Sequence, residues 1–310
     1  MILPNYFNAK KSLHLFGLFN DFNFFKNLYI EKKLPKVLML SGNKGNGKST
    51  LLNHLMYFIF DNDNYDEKIN KLKKETTFHK HFIDNSFSNI FYLSGSDFKN
   101  IKIEDIRKLK EKIFQTSFSN LPRFVIFDDV ELFNNNSLNA LLKIIEEPSE
   151  NNFFFLINNQ TKPLLETIKS RCLDVKVILS SQQKQDIIKS LTNNFDIKSL
   201  IDSNLSNLTP GNYIKFNYIF SSNQMSLNED YLKNLQVLLN LYKKDKDVIY
   251  IDMSLFLTDN YFNKLKNKNL FSNEKIIEYK NFVFENINKF FNYNLNQKAL
   301  LNNIDNKIND

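Results

Sequence analysis

Residues Val37–Thr50 read VLMLSGNKGNGKST. Four apolar residues and a serine run straight into Gly42–Ser49, GNKGNGKS, which fits the spacing G-x-x-x-x-G-K-[ST]. A short apolar run closed by glycine reads as a covered strand, and the polar residues after the loop open a helix expected to begin near Ser49. Strand, glycine loop and helix together make a phosphate loop. Backbone N–H groups turn inward around phosphate oxygens, glycines allow the close approach, and the helix N-terminus adds its positive end. Gly42, Gly45 and Gly47 are three of only six glycines in the chain. Lys48 is placed to reach the β- and γ-phosphates and Ser49 to hold Mg²⁺, with Asn43, Lys44, Asn46 and Thr50 completing the binding stretch. The expected ligand is ATP or ADP with Mg²⁺.

Working outward, five apolar runs have strand length: Val37–Ser41, Ile90–Leu93, Phe124–Phe127, Phe153–Ile157 and Asp174–Ile178. Most lack polar alternation, as strands covered on both faces do. Helical periods lie between them, one at Ile103, Ile106, Leu109 and Ile113, another at Leu138, Leu141, Leu142 and Ile145, the second stopped by Pro148. Alternating strands and helices predict an α/β fold with a five-stranded, parallel, doubly wound sheet. After Ser180 the chain reads as helices, broken near Thr209–Gly211, Ser221–Ser226 and Asp245–Asp247. A first unit at 1–180, a small helical unit at 181–222 and a helical unit at 223–310 follow. In the last, Leu232, Leu235, Leu239 and Tyr242 mark one stripe, and Ile276, Tyr279, Val283, Ile287 and Phe290 another. These stripes serve either an ordinary helical core or a bundle that also packs on other subunits. The asparagine-rich tail from Asn292 is expected to fray.

A second phosphate-site element is RFVIFDDVE, Arg123–Glu131. Its apolar strand delivers Asp128 to the C-terminal end, where α/β sheets bind ligands, so Asp128 is expected to reach the metal through water.

Three further segments are specific: IEDIRKL (Ile103–Leu109), SLNALLKIIEEP (Ser137–Pro148) and FFFLINNQTKPLLETIKSRC (Phe153–Cys172). They resemble the delta-prime clamp-loader subunits of bacterial DNA polymerase III, members of the AAA+ group, over about residues 1–220. The resemblance implies a RecA-like nucleotide domain, a lid and a collar at the boundaries above. It also implies a hetero-pentamer with delta and gamma/tau subunits that opens the sliding clamp and places it on primed DNA, in the cytoplasm. Arg171 of S-R-C corresponds to the family's arginine finger, which acts on a neighbour's nucleotide. Asn158 occupies the sensor position, with an ordinary turn bond as the other reading. Two departures bear on turnover. Asp129 stands where ATPase members carry Glu, and Gly211 falls where motor subunits carry a sensing Arg, so the expectation is nucleotide binding with weak hydrolysis or none. The chain is then an accessory subunit of a DNA-directed DNA polymerase. The competing reading is a self-contained AAA+ ATPase that remodels a protein or DNA complex. A P-loop kinase would need an arginine-rich lid, and none is visible.

Many relatives carry four cysteines after the phosphate loop, holding zinc. This chain has FDNDNYDEKINKLKKETTFHKHF there and a single cysteine, Cys172. No zinc is expected, His79 and His81 notwithstanding, and the segment reads as a solvated loop. One cysteine also excludes a disulfide framework. No stretch of 18 apolar residues is present, and the N-terminus has no export pattern, so no membrane span is expected. The net charge of +7 fits a nucleic-acid partner or simply the Lys-, Asn-, Ile- and Phe-rich composition that AT-rich codons give.

Overall fold

The computed structural model describes residues 4, 7–73, 75–96, 101, 103–114, 121–203, 207–268, 271–293 and 295–309. The chain forms two compact units, one of residues 4–196 and 203–214, the other of 197–202 and 215–310.

The first unit is built on five parallel strands: β1 (Val37–Ser41), β4 (Ile90–Ser94), β5 (Arg123–Asp128), β6 (Asn152–Asn158) and β7 (Leu173–Lys176). A two-stranded hairpin, β2 (Tyr65–Asp66) and β3 (Lys71–Leu72), stands apart. The sheet order is β4-β5-β6-β1-β7, with Val37 opposite Phe154 and Val125 opposite Phe154 on the other side. The expected strands are all present, and the sheet is parallel throughout.

Alternation along these strands divides the core in two. Leu38, Leu40, Phe124, Ile126, Phe155 and Ile157 face one side, and Val37, Met39, Val125, Phe127, Phe154 and Leu156 the other. The first face is covered by α1 (Phe19–Ile30), α2 (Lys48–Phe60) and α3 (Thr77–Ile83), the second by α4 (Ile103–Phe114), α5 (Asn135–Ile145) and α6 (Glu166–Lys169). Both faces being buried explains why the strands read as continuous apolar runs. On the first face, Phe124 stacks on Phe153 and Phe155 with ring centroids 5.3 and 5.6 Å apart. The run leading to Arg171 is helical only at Glu166–Lys169.

The segment expected to be a solvated loop is instead ordered cover. Thr76 caps α3 by accepting the His79 amide, and Tyr65, Leu72, Phe78, His79 and Phe82 are buried over α2. Its apolar residues satisfy the core from a short hairpin and a two-turn helix, elements too brief to show a period.

Two more helices follow, α7 (Ser181–Phe195), opened by a Ser180/Gln183 capping box, and α8 (Pro210–Ser222). The second unit carries α9 (Tyr231–Asp245), α10 (Ile249–Asn267), α11 (Asn273–Tyr293) and α12 (Gln297–Asn309). In it α9 packs on α10, α10 on α11, α11 on α12, and α12 returns to α9. All five residues of the α11 stripe are buried, whereas on α9 only Leu235 and Leu239 of the expected stripe are buried, joined by Tyr231, Asn234 and Leu238, with Leu232 and Tyr242 half-buried. The tail does not fray: Leu300 and Ile304 of α12 are buried, and this pair supplies the apolar face that a run of asparagines concealed.

Candidate nucleotide site

The parallel sheet brings the C-terminal ends of β1, β5 and β6 to one edge, with β6 lying between the other two. That edge gathers Gly42–Thr50, Asp128, Asp129 and Asn158. The Gly42 amide donates to the Asn158 carbonyl at 3.2 Å, tying the phosphate loop to the end of β6. α2 begins at Lys48, one residue before the position read from sequence.

Lys48 is buried, and its Nζ donates to the Gly42 and Asn43 carbonyls at 2.7 and 2.9 Å. Burial pushes its ammonium down to about 8, against the opposing pull of Asp128, Glu131 and Asp129. Ser49 Oγ donates to Asp128 Oδ2 at 2.9 Å across the width of β6. The Tyr92 hydroxyl, from β4, donates to the same oxygen, and the Asp129 amide donates to Oδ1 at 2.9 Å. Burial, and then Asp129, raise the Asp128 carboxyl above the usual carboxylate range, while these hydrogen bonds pull it back.

Asp129 follows in the left-handed region, φ 50° and ψ 45°, which aspartate tolerates better than most side chains. Its Oδ1 accepts from Asn159 Nδ2 at 2.7 Å. Two residues on, buried Glu131 accepts from the Asn159 amide at 3.1 Å, the Thr161 amide at 3.3 Å and the Thr161 hydroxyl at 2.8 Å. Asn158 is buried, but its carboxamide oxygen accepts from the Gln160 amide at 3.0 Å, so its side chain turns its own loop. The residue reaching across to Asp129 is its neighbour. Sequence reasoning missed Tyr92, Glu131 and Asn159; the third sits in an Asn-Asn pair whose facing only the strand register reveals.

Three buried carboxylates, Asp128, Asp129 and Glu131, all act on the one buried lysine, Lys48. Such a site favours an added cation. The hard oxygen donors of Ser49 and Asp128 suit Mg²⁺ bound beside phosphates, so the residues present fit the expected group. Among the described residues no three His, Cys, Asp or Glu side chains gather to hold a metal by themselves. His79 is buried, whereas the His81 ring nitrogen Nδ1 lies 2.8 Å from Ser86 Oγ on the surface.

Arg171 lies beyond α6, before β7. Its Nε and Nη2 both meet Glu146 Oε1, at 2.8 and 2.7 Å, and Nη1 donates to the Thr167 carbonyl at 2.9 Å. Its side chain is 37% exposed. The next residue, Cys172, donates its thiol to the Ile168 carbonyl, and burial pushes that thiol up to about 12, leaving it protonated at neutral pH.

Against this geometry, the family described as "DNA polymerase III, delta subunit" matches residues 20–180, just over half the chain and nearly all of the sheet and its site. The chain belongs to that family. Membership makes it a clamp-loader-family protein, as the segments at Ile103–Leu109, Ser137–Pro148 and Phe153–Cys172 imply. Similar proteins include DNA polymerase III subunit delta' of Buchnera aphidicola subsp. Schizaphis graminum, 32% identical over 150 residues, covering 48% of this chain and 44% of that one. Subunit gamma of the same organism is 30% identical over 149 residues, covering 46% and 40%. The chain therefore spans less than half the length of these curated relatives. Among solved structures, a DNA polymerase III gamma subunit-related protein from Thermotoga maritima aligns over 90% of this chain and 96% of its own, at 18% identity and a TM-score of 0.44. No helix among the described residues is long and apolar enough to cross a membrane.

Proposed function

We propose that this clamp-loader-family chain serves as a delta-prime subunit: it binds Mg-ATP or Mg-ADP through Gly42–Thr50 and hydrolyses it weakly or not at all. It works in a cytoplasmic hetero-pentamer with delta and gamma/tau subunits that loads a sliding clamp onto primed DNA. Lys48 neutralises phosphate charge, the loop amides orient the phosphates, and Ser49 with Asp128 holds the metal, which when bound neutralises the phosphates further. Arg171 acts on a neighbouring subunit's nucleotide, Asn158 lies at the sensor position, and residues 223–310 form the collar on which subunits assemble.

The observation carrying this reading is the state of Asp129 beside an intact phosphate loop. A carboxylate that activates water must accept that water's proton. Asp129 has a shorter arm than glutamate, and one of its oxygens is already engaged by Asn159 at 2.7 Å. Binding groups are complete while the group that would drive hydrolysis is held elsewhere.

The test separates the two properties. Purified full-length chain is titrated with Mg-ADP by calorimetry, then assayed for ATP turnover alone and with gamma/tau, delta, clamp and primed DNA. Saturable binding lost in Lys48→Ala, negligible turnover alone, and clamp-loading activity that requires this chain in the mixture are expected. Strong turnover by the lone chain would overturn the reading in favour of a self-contained ATPase.

A further inference from the structure

Gly211 falls where motor subunits of the resembling family carry a sensing arginine, and its surroundings here give it a task of its own. Gly45 sits at the tip of the phosphate loop with φ +90°, and a Cβ there would collide with the Thr209 hydroxyl. Gly211 meets the same tip from the other side: a Cβ on it would lie 3.0 Å from both Gly45 Cα and Gly45 O. Gly211 is bare where the Gly45 backbone approaches, and Gly45 is bare where Thr209 and the Asn212 backbone approach.

The approach is hydrogen-bonded. Buried Thr209 donates its hydroxyl to the Lys44 carbonyl at 2.7 Å, and the Gly211 amide, in the first turn of α8, donates to the Gly45 carbonyl at 3.0 Å. In a planar trans peptide the C=O and the following N–H point in opposite directions. Holding the Lys44 carbonyl toward α8 therefore turns the Gly45 N–H away from it. Holding the Gly45 carbonyl does the same for Asn46, whose N–H returns to the Asn43 carbonyl at 3.2 Å and closes the turn. The base of the loop is fixed separately, since Asn46 Nδ2 donates to the Val177 carbonyl at 3.2 Å and Gly42 to Asn158.

We infer that Thr209 and Gly211 are positioning residues for phosphate, an outer clamp that holds the Lys44 and Gly45 carbonyls outward and so presets the closed turn that points the Gly45 amide inward. The inference rests on the proposed nucleotide binding for its consequence, not for the clamp itself. A preset loop spends less conformational freedom when phosphate arrives. A side chain at 211 would press its Cβ on the Gly45 backbone at 3.0 Å.

Full-length Thr209→Val, which keeps the shape but removes the donor, is compared with Thr209→Ser, which keeps the donor, and with Gly211→Ala. Two quantities are read: the Mg-ADP dissociation constant, and amide hydrogen exchange across Gly42–Ser49 without nucleotide. Thr209→Val should weaken Mg-ADP about three- to tenfold, the effect of one lost hydrogen bond, and Gly211→Ala, whose Cβ pushes on the Gly45 backbone, should weaken it as well. Both should speed loop exchange, with Thr209→Ser restoring wild-type values and thermal midpoints staying close together. If Thr209→Val exchanges and binds like wild type, there is no clamp. Should wild type fail to bind Mg-ADP, the nucleotide reading fails alone. Faster loop exchange in Thr209→Val but not Thr209→Ser would still establish the clamp, and unchanged exchange would refute it.

Discussion

Arg171 and Glu146 share a single oxygen: Nε and Nη2 of the arginine both point at Oε1, at 2.8 and 2.7 Å, and the pair lies at the surface. Glu146 belongs to the E-E-P that ends α5, so two of the segments that carry the family resemblance meet in this ion pair. In the proposed role this pair would aim the guanidinium toward a neighbouring subunit, and exposed pairs contribute only about 0–1 kcal/mol to stability. Arg171→Ala should therefore leave folding and own-site Mg-ADP affinity within about twofold of wild type, while lowering ATPase of the reconstituted complex by about 10³-fold at a site the residue serves. Glu146→Gln, which weakens the aim but keeps the arginine, should give a smaller loss in the same assay. Collapse of own-site affinity with normal complex ATPase would place Arg171 in its own site.

Lys48 makes phosphate binding sensitive to alkali. Its ammonium, lowered to about 8 by burial, is charged below that pH and loses its proton above it. Mg-ADP affinity should be flat from pH 6.5 to 7.5 and fall as pH rises through 8 to 9.5. Lys48→Arg, charged throughout, should flatten the profile whatever it does to absolute affinity. Calorimetric titration across this range checks both.

Restoring the motor subunits' arginine should not restore turnover. An arginine at position 211 has its Cβ against the Gly45 backbone, so Gly211→Arg must displace either the loop or the start of α8. Mg-ADP affinity should drop at least as far as in Gly211→Ala, with no rise in ATP hydrolysis. A gain in turnover would show that the missing charge, rather than the packing, limits the site.

Acid should loosen the cover over α2. Burial holds His54 at about 3, against 6.5 for an ordinary histidine; its Nδ1 lies 3.0 Å from the Tyr65 hydroxyl, and its ring packs at 5.2 Å from Tyr57. Its folded pKa is depressed, so the unfolded chain binds the proton first, and stability is complete above pH 6.5 and lost as pH falls from there toward 3. The slope is about 1.4 kcal/mol per pH unit for one proton. Urea midpoints measured between pH 7.5 and 4.5 should follow this trend, and His54→Phe should reduce the slope.

Much of this site was legible because its chemistry is local. Lys48 and Ser49 follow one strand at a fixed spacing, and Asp128 ends an apolar run, so strand, loop and helix could be assigned without knowing the sheet order. What escaped depends on register or on short elements. Asn158 and Asn159 are alike in sequence, yet the strand end sends one side chain to Gln160 and its neighbour to Asp129. Glu131 draws donors from Asn159 and Thr161, which lie about 30 residues further along the chain. The clamp joins Lys44 to Thr209 over a separation of 165 residues, beyond the reach of any local pattern. His79 looked solvated because Phe78 and Phe82, its apolar companions, are set among lysines and histidines in a helix of seven residues.

The closing role of α12 sets a schedule for synthesis. Ile304 is fully buried in the second unit, whereas the last strand of the sheet ends at Lys176. At elongation rates of about 5–20 residues per second, about 6–26 seconds separate the synthesis of these two points. Throughout that interval the phosphate-loop sheet has all its strands while the helical unit still lacks a wall. The exposed faces of α9 and α11 during those seconds are the part of the nascent chain that a holding chaperone has most to cover.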